Sequence, residues 1–96
     1  MKPKQPETLG DVLQQFLRAV GAEKRIKEMR LMQKWDEIVG RFVAKDTQNI
    51  TFSDGVLSVR FRSAIIRNEI SMRRSAIMDR LNEAMGEQLV AKIEIR

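Results

Sequence analysis

The chain has 96 residues, 43% of them hydrophobic and 32% charged, which suits one globular domain with a single modest core. Its net charge of +5 and pI near 10.1 favour a polyanionic partner such as nucleic acid or an anionic membrane surface. The absence of His and Cys excludes disulfides, thiolate metal sites and imidazole chemistry and fits a cytoplasmic protein. No apolar run approaches the roughly 20 residues needed to span a bilayer.

The first seven residues, MKPKQPE, are polar with two prolines. They are expected to form a disordered tail (1–7) rather than a signal peptide, leaving 8–96 as one α+β domain. Thr8 followed by Asp11 has the form of a capping box. Leu9, Val12, Leu13, Phe16, Leu17 and Val20 then recur at helical spacing, and Gly21 is the expected stop. A second helix is expected over about Glu23–Val39. Its first half is highly charged, and Leu31, Met32, Trp35, Ile38 and Val39 gather on one face as core. Gly40 terminates it, with Phe42 continuing the apolar stripe in a short turn.

Asp54-Gly55 is a two-residue hairpin signal, because both central positions of a type I′ turn take positive φ. That placement pairs Phe52 with Leu57 and Ile50 with Val59 on one face. Asn49, Thr51, Ser58, Arg60 and, just beyond the ladder, Arg62 fall on the other. Ser63 caps a third helix running to about Met85 and stopped by Gly86. Ile66, Ile70, Ile77 and Leu81 form its main stripe, flanked by Arg67 and Arg74 on one side and by Arg73 and Arg80 on the other. Ile65, Met72 and Ala76 form a second apolar strip, which either packs on the first helix or forms a partner surface. A final strand, Leu89–Arg96, alternates Leu89, Ala91, Ile93 and Ile95 inward.

The resulting order, α-α-β-β-α-β, is a two-layer sandwich with a three-stranded sheet on helices. From the second helix onward it resembles a K-homology (KH) domain of bacterial topology. That resemblance implies two helices between the second and third strands, joined by a GxxG loop that clamps the nucleic-acid backbone. No glycine occurs between Gly55 and Gly86, and the corresponding point reads Ser71-Met72-Arg73-Arg74. The likeness is therefore to a degenerate KH-like domain without the clamp, in which the charge of Arg73 and Arg74 replaces backbone amides.

Catalysis finds little support. Asp36 and Glu37 are adjacent on a helix and diverge by about 100°, no Gly-rich phosphate loop is present, and spacing supports no metal site from Asp46, Asp54 or Glu69. The expectation is a non-enzyme with no cofactor and no metal. Arginine dominates from Asn49 to Arg80, with six (60, 62, 67, 73, 74, 80) against Asp54, Glu69 and Asp79. The candidate nucleic-acid contacts are Arg60, Arg62, Arg67, Arg73 and Arg74. Trp35 and all four Phe lie on expected core faces, so binding should be led by charge rather than by stacking. A membrane-surface role is disfavoured, because no helix combines a free apolar face with a basic one.

The run Trp35-Asp-Glu-Ile-Val-Gly40, the hairpin Ile50-Thr-Phe-Ser-Asp-Gly-Val-Leu-Ser-Val59, Leu81-Asn82 and the closing strand together resemble the DciA-type family. The match covers roughly Leu9 to Ile95. That resemblance implies a KH-like DNA-binding domain in a loader or accessory factor of the bacterial replicative helicase, with DNA favoured over RNA. Many relatives carry an aromatic near the start of the long helix, where this chain has Ile65-Ile66. Longer relatives add a disordered segment implicated in grasping the helicase, so DNA contact transfers to this chain better than helicase loading. The alternative reading is an interaction adaptor whose arginines and Ile65-Met72-Ala76 strip dock on an acidic replication enzyme.

Overall fold

A computed structural model of the chain describes residues 8–96; the expected tail, 1–7, lies outside the described residues. Thr8 opens helix α1 (Leu9–Val39) with the expected capping box. The Asp11 amide donates to Thr8 Oγ1 at 3.1 Å, and the Thr8 amide donates to Asp11 Oδ2 at 3.3 Å. The helix then runs for 31 residues through Gly21, so the two helices expected here are one. A glycine inside a helix costs about 1 kcal/mol against alanine. The run that follows, Ala22 to Arg30, is rich in strong helix formers, and Lys27 reaches back to Glu23 at 3.9 Å. Gly40, with φ of 86°, ends α1 and starts the short helix α2 (Arg41–Asp46).

Strands β1 (Thr47–Ser53) and β2 (Val56–Phe61) form the expected hairpin. Ile50 faces Val59 and Phe52 faces Leu57, and a bulge lies between Thr47 and Asn49. Asp54 (φ 51°) and Gly55 (φ 78°) occupy the turn. Only glycine adopts that conformation without cost. Gly55→Ala should therefore lose about 1–2 kcal/mol, read as a fall of roughly 5–10 °C in Tm by thermal melting.

Ser63 caps α3 (Ala64–Met72) by accepting from the Ile66 amide at 3.3 Å. The single long helix expected from Ser63 to Met85 is in fact two. Arg73, at φ −102° and ψ 9°, interrupts it, and α4 (Arg74–Met85) begins at the next residue. This is the bridge region of backbone space, open to any residue, so the break needs no glycine or proline. It leaves α3 against β2 and β3 (Lys92–Ile95), while α4 lies along α1. Gly86 closes α4 in the left-handed conformation, and the Glu87 amide bonds the Asn82 carbonyl at 3.2 Å.

The last strand is shorter than expected, and its alternation starts later. Val90, placed outward by the alternation, is buried, and Ala91, placed inward, is exposed. The reason is Asn82, itself buried, whose amide grips the Val90 backbone from α4. Nδ2 donates to the Val90 carbonyl at 2.9 Å, and Oδ1 accepts from the Val90 amide at 2.8 Å.

The sheet order is β1-β2-β3, antiparallel then parallel, so the architecture is α+β with helices on one face of a mixed three-stranded sheet. Leu57, Val59 and Phe61 of β2 meet Leu31 and Trp35 of α1, Ile70, Ile77 and Leu81 in one buried cluster. Trp35 and Phe61 stack at 6.2 Å between ring centroids, and Trp35 Nε1 donates to Thr47 Oγ1 at 3.4 Å. Phe16 and Phe42, expected on core faces, are instead exposed. Among the described residues nothing packs over the α1 stripe at Phe16, and the two-turn α2 leaves Phe42 outside the cluster.

Candidate nucleic-acid interface

The uncovered face of the sheet is polar by strand parity. Antiparallel register sets Asn49 beside Arg60 and Thr51 beside Ser58. Parallel register sets Ser58 beside Glu94 and Val59 beside Ile95, which brings Arg96 level with Arg60. Two backbone bonds fix that alignment: the Arg96 amide donates to the Val59 carbonyl, and the Phe61 amide donates to the Arg96 carbonyl, each at 2.9 Å. Asn49, Thr51, Ser58, Val59, Arg60 and Arg96 thus border one shallow depression.

Glu94 sits at the edge of this row. Its carboxylate lies 3.4 Å from both Lys92 Nζ and Arg96 Nη2, and Ser58 Oγ donates to it at 3.4 Å. Lys92 and Arg96 remain largely exposed. Exposed pairs of this kind are worth about 1 kcal/mol or less and exchange easily for a phosphate. Three cations, Arg60, Lys92 and Arg96, face one carboxylate on this surface, with no aromatic ring beside them in the depression.

The five expected arginines do not form one patch. Arg60 is on the sheet. Arg62 lies one residue past β2, where its amide bonds the Asp46 carbonyl at 3.2 Å and the following Ser63 amide bonds Asp46 Oδ2 at 3.0 Å. Arg67 and Arg74 are exposed on α3 and α4. Arg73 sits at the helix join, paired with Glu69 at 2.8 Å. Together with Arg80, Arg73 borders a separate groove floored by Ile38, Val43, Ile70 and Ile77. Ile65 and Met72 are 81% and 78% exposed, so this strip does not pack on α1. Ala76 is also exposed and lines the Arg73 groove.

Lys92 and Arg96 were the residues that sequence reasoning missed. Their alternation on the last strand was legible, but not that this strand lies parallel beside β2. Among the described residues no cluster of three His, Cys, Asp or Glu could hold a metal, and no helix is long and apolar enough to cross a membrane.

Fold and surface together define a small α+β domain that presents a basic, ring-free sheet face. The chain belongs to the family described as Dna[CI] antecedent, DciA, whose model matches residues 8–95. It is 24% identical over 92 residues to a UPF0232 protein of Mycolicibacterium smegmatis, named for the recF-gyrB intergenic region, covering 96% of this chain and 47% of that one. A UPF0232 protein of Rhodococcus jostii is 23% identical over 92 residues, with 96% and 49% covered. One from Mycobacterium leprae is also 23% identical, with the same coverage. The chain thus spans about half the length of the curated relatives it matches.

Proposed function

We propose that this chain is a non-catalytic nucleic-acid-binding module that serves bacterial DNA replication as an accessory of the replicative helicase. The observation that carries the binding role is the placement of Arg60 beside Arg96, with Lys92 further along the same strand, on a sheet face that no element among the described residues covers. Asn49, Thr51 and Ser58 supply neutral hydrogen-bonding groups between the charges. Membership of the DciA family supports the replication setting.

Such a surface holds phosphates, so binding is largely independent of sequence. Arg62 extends the row at its end. Arg67, Arg73 and Arg74 offer a second track at the α3–α4 join, where a KH domain carries its backbone-clamping loop. DNA is the expected ligand ahead of RNA, from the family.

The test is fluorescence anisotropy with single-stranded DNA, duplex DNA and single-stranded RNA across a salt series. Three phosphate contacts on a single strand give a log–log salt slope of roughly −2. Arg60→Ala combined with Arg96→Ala should weaken binding at least about tenfold and flatten the slope to roughly −0.7, with little change in Tm. Full affinity in that variant would remove the sheet face from the site, and Arg73→Ala with Arg74→Ala would then be the pair to measure.

The exposure of Ile65 and Met72 favours a second reading, that the α3 strip with Ala76 docks a protein, the helicase first among candidates. Loss of helicase capture in Ile65→Asp with Met72→Asp, with DNA affinity retained, would assign the two roles to separate faces.

A further inference from the structure

We propose that the N-terminal arm of α1 is a self-association element that pairs antiparallel with the same arm of a second copy of this chain. The arm's apolar stripe, Leu9, Val12, Leu13, Phe16, Leu17 and Val20, is between 47% and 85% exposed and lies outside the core formed by the described residues. The molecule is accordingly long, 64 Å against 22 and 19 Å, and the core first engages α1 near Lys27, which reaches Glu87 at 3.3 Å, and Leu31, which is fully buried.

The stripe is self-complementary when read in reverse. The run Leu-Gly-Asp-Val-Leu-Gln is followed by Gln-Phe-Leu-Arg-Ala-Val, so about the midpoint between Gln14 and Gln15 the pattern of large apolar, small and polar positions reads the same in both directions. Large apolar residues meet large apolar residues, small Gly10 answers small Ala19, and Asp11 answers Arg18. In an antiparallel pair centred there, Leu9 faces the partner's Val20, and Leu13 faces the partner's Phe16. These are the two-fold repeated layers of a heptad seam, and a two-fold axis requires this reciprocity.

On the flanks a large side chain falls beside a small one. Val12 lies by the partner's Ala19, and Leu17 lies by the partner's Gly10, which lets the helices approach closely. Asp11 and Arg18 lie on the back of the helix, at about 180° from the stripe, so no charge enters the seam. A lipid surface is a poorer match, because Arg18 is the arm's single basic residue and it points away from the apolar face.

The remainder of each molecule lies beyond opposite ends of the pair, so the bodies do not collide. Six exposed apolar residues a side bury on the order of 1,000 Å² in all, the low end of specific interfaces and enough for a reversible pair.

The absence of native cysteine permits a direct test. Leu9→Cys and Val20→Cys proteins are mixed with a short bismaleimide, alongside sedimentation equilibrium of the unmodified chain over a concentration series. The expected results are a reversible dimer and a crosslink joining position 9 of one chain to position 20 of the other. Phe16→Asp should raise the dissociation constant at least about 30-fold while leaving the melting of the dilute protein unchanged. A chain that stays monomeric up to about 1 mM, which means pairing weaker than a millimolar dissociation constant, would overturn the proposal. So would crosslinks joining 9 to 9 and 20 to 20, or capture of the monomeric arm by anionic vesicles.

Discussion

Asn82→Ala should lower Tm by roughly 10–20 °C and free the last strand from α4. The side chain is 3% exposed and bonds both backbone groups of the buried Val90, at 2.8 and 2.9 Å, with a further bond to Gln88 at 3.3 Å. Truncation leaves an amide and a carbonyl dry and unpaired, at about 1–3 kcal/mol each. For a domain of this size each kcal/mol is worth about 4–8 °C, and relaxation of the loop recovers part of the loss. The functional consequence follows from register. β3 places Arg96 beside Arg60 and Lys92 further along the same face, opposite Val56, so nucleic-acid affinity should fall even below the melting transition.

Asn82→Asp refines the test. An ionised carboxylate still accepts from the Val90 amide but cannot donate to its carbonyl; protonated, it can do both. Burial against a carbonyl holds the folded-state proton more tightly than the unfolded chain does. The native state then binds more protons, and stability falls as pH rises through the carboxylate range. The variant should therefore melt higher at acid pH, relative to wild type, than at neutral pH. An equal deficit at both would mean that Asn82 acts through shape alone.

Trp35→Ala should be the most damaging single change, at about 3–5 kcal/mol, a large part of the 5–15 kcal/mol that holds a small domain folded. Trp35 is 1% exposed, stacks on Phe61, and ties α1 to the start of β1 through Thr47, which in turn donates to the Val43 carbonyl at 3.1 Å. Circular dichroism should show a Tm lowered by at least about 15 °C, or no cooperative transition. Trp35→Phe keeps an aromatic ring against Phe61 but loses the pyrrole half of the indole and its Nε1 bond, so it should cost less, about 1–3 kcal/mol. The same burial means that this indole has no face for a base, and tryptophan emission should barely change when DNA binds.

The local grammar of the chain was legible. The Thr8–Asp11 box, the Asp54-Gly55 turn with its register, the Ser63 cap, the Gly86 stop and the core role of Trp35 all stand as read. Gly21 misled because a glycine near charged residues has the composition of a stop whether or not a left-handed turn follows. The join at Arg73 left no mark because bridge-region backbone suits any side chain. Phe16 and its stripe misled most, since amphipathic periodicity reports that a face is apolar and not what covers it.

The candidate site divides along the same line. Arg60 on the solvent side of β2 followed from alternation alone. The placement of Arg96 beside it, and of Lys92 on the same face, did not, because strand order and the parallel sense of β3 depend on where α3 and α4 return the chain. Features whose physical cause lies within four or five residues, such as caps, turns and hairpin pairing, were determined by the sequence by itself. The break at Arg73, the Asn82 grip on Val90 and the Arg60–Arg96 row were decided by tertiary structure. In each of those, the energy that settles the local conformation comes from packing and hydrogen bonds beyond the local segment, and no nearby residue type records it.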